Sequence, residues 1–128
     1  IDNFLEQTPS LAKLRNMITN EAGRGWLRGL DNRKIWVRSP HSALNTKLQG
    51  AAAVVMKKAL VLFANSLTDD VKIVANVHDE WQVECEEADG NLVGKLGVSA
   101  IIRAGHEYKL NCPLDGEYKV GLNWSETH

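Results

Sequence analysis

Two adjacent carboxylates, Asp79 and Glu80, are the residues of this sequence whose types and spacing are best suited to chemistry. They lie between two β-forming runs, residues 71–77 and 81–85, so we expect them with His78 at the tip of a tight hairpin. Neighbouring carboxylates repel each other, and a nearby cation allows both to stay charged. Mg²⁺ prefers oxygen ligands and usually binds one or two carboxylates together with substrate phosphates. The pattern therefore indicates a magnesium site, although acidic residues are also frequent in ordinary polar turns.

A second pattern is a polar stripe in which His41, Asn45 and Gln49 recur at a spacing of four. On an α-helix this spacing places them on one face, each about 6 Å above the last. Asn and Gln can bond the acceptor that every base presents in the minor groove, whatever the sequence. Such a stripe could equally be a polar helix face packed under a loop. Nearby cations that would contact phosphates favour a duplex-binding surface; they are Arg33, Lys34, Arg38, Lys47 and Lys57.

Periodicity predicts the elements that position the stripe. A helix over residues 9–22 is followed by a hairpin over 26–37. Ser39 as N-cap and Pro40 at the first helical position begin a long helix that extends to about Ser66. Its buried side is predicted to carry Leu44, Leu48, Val55 and Leu62.

The acidic hairpin should be held by its flanking residues, Val77 and Trp81, as core anchors. It is followed by a predicted helix over 88–108, which four glycines weaken, and by an extended segment over 109–120. Helices and strands alternate without a regular βαβ rhythm, so the predicted fold class is α+β.

Charge is segregated along the chain although the net charge is only −1. Residues 24–58 are basic and residues 69–89 are acidic, which could place a polyanion-binding face beside a cation site or give two solvated faces of opposite sign. The isolated cysteines and the lack of an apolar run long enough to cross a bilayer favour a cytoplasmic protein without a membrane partner. Because the sequence opens on Ile1 rather than Met, we expect a processed, cleaved or trimmed product.

Four segments, in one order, resemble the family A (polymerase I-type) DNA polymerases. Residues 4–15 resemble the helical stretch after the nucleotide-binding helix of the fingers, and residues 26–58 the connection from fingers to palm. Residues 77–80, VHDE, are similar to the family's motif C, and residues 113–124 to its closing strand. The resemblance is strongest to the replicative polymerases of short-tailed phages, which also end on a histidine.

The resemblance implies a fold of half a polymerase palm, with a long helix, the motif C hairpin, a second helix and a closing strand. Residues 1–38 would be the C-terminal end of the fingers and residues 39–128 the C-terminal part of the palm. Two Mg²⁺ ions would serve nucleotidyl transfer, with Asp79 as a direct ligand and Glu80 in a smaller, supporting role. His128 would fold back toward the active site, as a terminal carboxylate and imidazole.

The same resemblance assigns the DNA contacts. Asn45 and Gln49 would hydrogen-bond the minor groove of the primer–template duplex, and Arg38 and His41 would lie along the same duplex. His78 would lie near the primer end. The partners implied are primer–template DNA and deoxynucleoside triphosphates.

Two motifs that the family needs do not occur in this sequence: a DxSxxE-like motif with a second metal-binding Asp, and a fingers helix with the pattern Rx3Kx6-7YG. We therefore expect that the chain alone does not extend a primer. A naturally split or cleaved polymerase would supply an N-terminal fragment as partner, whereas a relic of a broken gene would not. An exposed apolar patch at the missing strand would favour association with that partner or with a second copy.

Two alternatives from other functional classes remain at this point. One is a non-catalytic DNA-binding module that uses the basic surface of residues 24–58. The other is a metal-dependent hydrolase built around His78, Asp79 and Glu80, which would need further ligands nearby, whereas His41, His106 and His128 are scattered.

Overall fold

The computed structural model describes residues 7–128, so the first three residues of the segment 4–15 lie outside the described residues. Within that range, helices alternate with two small antiparallel sheets of two strands each, which confirms the α+β class. The chain divides into two compact units, one ending at Val54 and the next beginning at Val55. The fingers–palm boundary at residues 38 and 39 stays a prediction.

The first unit confirms the predicted helix and hairpin. Its elements are helix α1 (Pro9–Ala22), strands β1 (Trp26–Arg28) and β2 (Lys34–Trp36), a 3₁₀ turn (Pro40–Ser42) and the start of helix α2 (Ala43–Ala64). Ser39 occupies the N-cap position and Pro40 the first helical position, as predicted, but they begin the 3₁₀ turn and the Ser39 side chain makes no capping bond. Instead, the Ser39 carbonyl accepts bonds from the backbone N–H and the hydroxyl of Ser42, at 3.1 and 2.9 Å.

The core of the first unit lies between α1, β1 and the start of α2. It consists of Ile18, Ala22, Leu27 and Ala43, with Val37 and Leu44 packed against it. The expectation that Leu48 is buried is wrong, since it is 55% exposed. Five residues after Ala43, it lies about 140° around the helix from that buried position.

The second unit contains the acidic hairpin. Its further elements are strands β3 (Lys72–Val77) and β4 (Glu80–Glu84), a 3₁₀ turn (Glu87–Asp89), helix α3 (Gly90–Glu107) and the short helix α4 (Trp124–Thr127). The buried core is formed by Phe63, Val71, Val93 and Ala100. Trp81 stacks on Phe63, with ring centroids 5.3 Å apart, and so anchors the hairpin as predicted.

Val77 is not a core anchor, because it is 39% exposed. A bulge between Ile73 and Ala75 shifts the register of the hairpin. As a result Val77 pairs with Glu80, whereas Asn76 pairs with Trp81. Cross-strand partners project on the same face of a sheet, so Val77 lies on the side opposite to the core.

The segment after α3 packs against its glycines but is not the predicted closing strand. A side chain at Gly94 would overlap the ring of Tyr118, and a Cβ at Gly105 would lie 2.9 Å from Cγ of Leu114. These glycines therefore permit close approach rather than merely weakening the helix. Within residues 7–128, residues 113–120 join no sheet, because neither of the two sheets pairs a third strand.

Candidate functional site

The hairpin β3–β4 turns through only two residues, His78 and Asp79, because Val77 and Glu80 form its last cross-strand pair. The predicted three-residue tip is therefore one residue too long, and Glu80 belongs to β4. His78 has a φ of 55°. A side chain with a Cβ is strained there by about 1–2 kcal/mol, and such strain is found preferentially at functional sites.

The Glu80 carboxylate is fully engaged by neighbouring side chains. Its Oε1 accepts hydrogen bonds from Nε2 of Gln82 and from Nε1 of Trp124, the latter at 3.2 Å. Its Oε2 lies 3.1 Å from Nδ1 of His128. The bond from Gln82, followed by the contacts of His128 and Trp124, holds the pKa of Glu80 below its ordinary value. Glu80 is therefore a stable anion at neutral pH.

The segment from Leu122 to His128, here called the tail, carries two of these three partners. Glu126 holds it together by accepting bonds from the backbone N–H of Leu122 and from Nδ2 of Asn123, both at 2.9 Å. The Thr127 hydroxyl adds a second link to the hairpin, since it lies 3.1 Å from Oε1 of Gln82. The tail thus brings His128 beside Glu80, and a role for His128 in an active site stays a prediction.

Asp79 differs from its neighbour because it is exposed and makes no hydrogen bond or ion pair with any described residue. Its carboxylate is free to bind a cation. In the described part of the chain no three His, Cys, Asp or Glu side chains converge as a metal site would require. The donors present therefore fit one arm of a Mg²⁺ site, provided by Asp79, and not a complete one.

A groove of about 1240 Å³ lies beside this hairpin, between β4, α3 and the tail. Its walls include Asp79 and Glu80 as well as the apolar side chains of Val93 and Tyr118. The acidic turn therefore adjoins a concave surface rather than an isolated loop.

The polar stripe in the first unit is only partly regular. Asn45 and Gln49 are exposed and lie one turn apart on α2, as predicted. His41 is also exposed but belongs to the 3₁₀ turn before the helix, so the regular α-helical spacing does not extend to it. Arg38 is exposed and has no hydrogen-bond or ion-pair partner among residues 7–128.

Of the other four predicted phosphate-binding cations, three already have protein partners, whereas Lys57 is exposed and has no partner among residues 7–128. Arg33 pairs with Asp31 in the β1–β2 turn, and Nζ of Lys34 lies 4.9 Å from the ring centre of Trp26. Nζ of Lys47 lies 3.5 Å from Oε2 of Glu21. A phosphate would have to share these cations, whereas Arg38 is free.

Comparison with known proteins identifies the family to which the chain is related. The sequence model of DNA polymerase family A matches residues 1–126. The chain belongs to DNA polymerase family A. The similarity inferred from the four motifs is thereby confirmed.

Individual family A relatives cover nearly all of this chain but are much longer. The DNA-directed DNA polymerases of Enterobacteria phage T3 and Escherichia phage T7 are each 37% identical over 98% of the chain, which corresponds to 21% of either relative. DNA polymerase I of Pseudomonas aeruginosa is 30% identical over 100% of the chain and 15% of its own length. The chain therefore spans about a fifth or less of these relatives.

For this family A segment, sequence reasoning missed two of the three residues that hold Glu80, Gln82 and Trp124, whereas a return of His128 toward the site was expected from the family resemblance. Gln82 could have been found from β4 alone, because side chains two residues apart share a strand face. Trp124 could not, since it is 44 residues away from Glu80 along the chain.

No helix in residues 7–128 has the length and apolar character needed to span a membrane.

Proposed function

We propose that this chain is the C-terminal part of a DNA-directed DNA polymerase that adds nucleotides to a primer with the help of two Mg²⁺ ions. The observation that carries the proposal is the contrast within VHDE. Asp79 offers an unengaged carboxylate at a strained turn, while Glu80 is fixed by three side chains. In such enzymes the ions activate the primer 3′-hydroxyl and stabilise the leaving pyrophosphate.

In this proposal Asp79 is a direct metal ligand and Glu80 positions the turn. Both oxygens of Glu80 are occupied by the tail and Gln82, so its supporting role is to keep the turn and its negative charge in place. His78, whose strained backbone is imposed by the two-residue turn, would face the primer end.

Binding of the primer–template duplex is assigned to the first unit. The exposed amides of Asn45 and Gln49 can bond the minor-groove acceptors of any base pair, which suits an enzyme that must accept every sequence. Arg38 and His41 are exposed and can contact phosphates. Three further cations keep their protein partners and still contribute positive charge to this surface; they are Arg33, Lys34 and Lys47.

We further propose that the site is completed by residues outside this segment, in the same polypeptide or in a second one. The phage T3 and T7 relatives are about five times longer, and neither the second metal-binding Asp motif nor the triphosphate-binding helix motif occurs here. The hairpin β3–β4 lacks a third strand in the described range, which leaves room for an N-terminal polymerase fragment or a second copy. Deoxynucleoside triphosphates would bind only to the complete enzyme, in the cytoplasm of a bacterial or phage-infected cell.

The proposal can be tested in a chimera in which this chain replaces the segment of phage T3 polymerase that it matches. We expect the chimera to extend a primer, and the isolated chain not to. Asp79→Ala should lower the rate at least about a hundredfold, since metal stabilisation of the transition state is worth several kcal/mol, and should leave DNA affinity nearly unchanged.

Asp69→Ala is the matched control, because Asp69 is also an exposed aspartate beside β3 and its side chain has no partner among the described residues. Equal synthesis by the Asp79→Ala and Asp69→Ala chimeras would reject the catalytic role and favour a non-catalytic DNA-binding module. Extension by the isolated chain would reject its incompleteness.

A further inference from the structure

The solvent face of the hairpin β1–β2 combines two indoles with three cations. The register pairs Trp26 with Trp36 and Arg28 with Lys34. Cross-strand partners share a face, and so do residues two apart on a strand, so all four side chains project to one side. The intervening pair, Leu27 and Ile35, projects to the other side, where Leu27 is fully buried in the core.

Trp26 is surrounded by cations on this face. The Cζ of Arg24 lies 3.6 Å from its ring centre, with Nζ of Lys34 at 4.9 Å and Cζ of Arg28 at 5.9 Å. Arg24 is held by Glu21 at 2.6 Å, and Arg28 donates to the carbonyl of Asn32 at 3.3 Å. The cations are therefore partly fixed before any ligand arrives.

Trp36 is 75% exposed and stacks on no other aromatic ring in the described part of the chain. An exposed indole beside fixed cations is poorly suited to an apolar protein partner, because burial would strip water from the charges without neutralising them. It is well suited to a polyanion that carries flat, unpaired rings. In duplex DNA the bases are already stacked on one another, whereas in a single strand each base can stack on an aromatic side chain.

We propose that the outer face of the β1–β2 hairpin binds single-stranded nucleic acid, with one base stacked on Trp36 and the adjacent phosphates on Arg24, Arg28 and Lys34. This site is separate from the minor-groove amides of Asn45 and Gln49, which require a duplex. It rests on the proposed function for its biological meaning: in a template-directed polymerase, the single strand is the unpaired template.

The test measures binding of the 128-residue chain to a labelled oligothymidylate and to an abasic oligomer of the same length and charge. Native protein should bind the oligothymidylate roughly five- to a hundredfold more tightly than the abasic oligomer, the usual effect of stacking one base. Trp36→Leu should lose that preference and leave abasic binding unchanged, because leucine keeps apolar surface but has no ring. Trp36→Phe should keep part of the preference.

The cations are tested by their salt dependence. Replacing Arg28 and Lys34 together with Gln should weaken binding of both oligomers and reduce the slope of log K against log salt by about 0.7 for each phosphate that is no longer neutralised. Far-UV circular dichroism of every variant confirms the fold, which we expect to persist because Trp36 is exposed and Leu27 is unchanged.

Two results would overturn the proposal. Equal affinity of native protein and Trp36→Leu for oligothymidylate would remove Trp36 from the site. Equal affinity for oligothymidylate, the abasic oligomer and polyglutamate would reduce the face to a general polyanion surface that an acidic peptide could occupy. Neither outcome depends on Asp79, so failure here and failure of the polymerase proposal are distinguishable.

Discussion

The hairpins β1–β2 and β3–β4 both reverse the chain through a non-glycine residue with positive φ, Asn32 at 66° and His78 at 55°, but they treat charge differently. In β1–β2 the turn charges are matched within the protein, since Arg33 pairs with Asp31. Arg24, just before β1, is likewise matched by Glu21. In β3–β4 the turn leaves Asp79 with no partner in the described range.

The difference teaches which charges are structural. Partial burial raises the pKa of Glu21, but the backbone N–H of Arg28 and the charges of Lys47 and Arg24 outweigh it, so that the pKa is lowered. Glu21 therefore stays charged and links helix α1 to the β1–β2 hairpin through its bond with the Arg28 N–H. Glu80 is tied in the same way by Gln82, His128 and Trp124. Of the two carboxylates in VHDE, only that of Asp79 has no partner among residues 7–128, which leaves it available to a cation.

The largest expected effect concerns the buried side of the acidic hairpin. Phe63 is 2% exposed and stacks on Trp81, so Phe63→Ala should lower the free energy of unfolding of this unit by about 3–5 kcal/mol. Val61→Ala, on the same helix but 55% exposed, should cost less than about 0.5 kcal/mol. Urea denaturation followed by tryptophan fluorescence measures both, and similar midpoints for the two variants would refute the anchoring role of the stack.

A smaller effect is expected at the two turns. His78→Gly removes backbone strain and should raise the free energy of unfolding by up to about 1 kcal/mol, while slowing synthesis by the chimera if His78 meets the primer end. Asn32→Gly should give a smaller gain, because the short polar side chain of asparagine can hydrogen-bond locally in the left-handed region. Loss of stability in His78→Gly would show that the side chain, not the turn, stabilises the hairpin.

The smallest effect is a pH dependence of the tail. Because the pKa of Glu80 is lowered, its contribution to holding the tail is complete above the ordinary pKa of glutamic acid and is lost as the pH falls through the lowered value. The indole N–H resonance of Trp124 should therefore shift on acidification, and this shift should vanish in Glu80→Gln. The indole of Trp81 serves as the internal reference, and identical titrations of both indoles would indicate general unfolding instead.

Local pattern was sufficient for most elements of this fold but not for the last segment or for the way the elements pack together. Pro9 and helical spacing identified α1, and two β-prone runs around an acidic turn identified the second hairpin. The bulge between Ile73 and Ala75 decides which face Val77 occupies, and no local signal marks it. The closing strand expected over 113–124 requires a strand edge to pair with, which is a property of the assembled chain rather than of those residues.

The candidate site shows the same division. Spacing singled out Asp79 and Glu80, helical periodicity singled out Asn45 and Gln49, and the roles of all four stay predictions. The different environments of Asp79 and Glu80 do not follow from spacing, because they depend on the return of Trp124 and His128 to a hairpin more than forty residues earlier in the chain. Of these two, only the return of His128 was expected, from the family resemblance.

The central claim is that Asp79 is the carboxylate available to a metal ion while Glu80 is held by the tail. A Mn²⁺ titration of the ¹⁵N-labelled chain tests it most directly, because paramagnetic broadening reports even weak binding residue by residue. The account predicts that broadening is centred on the amides of His78 and Asp79, is abolished in Asp79→Asn and persists in the control Asp69→Asn. Broadening that is unchanged in Asp79→Asn, or centred on the acidic residues Glu86, Glu87 and Asp89 instead, would contradict it.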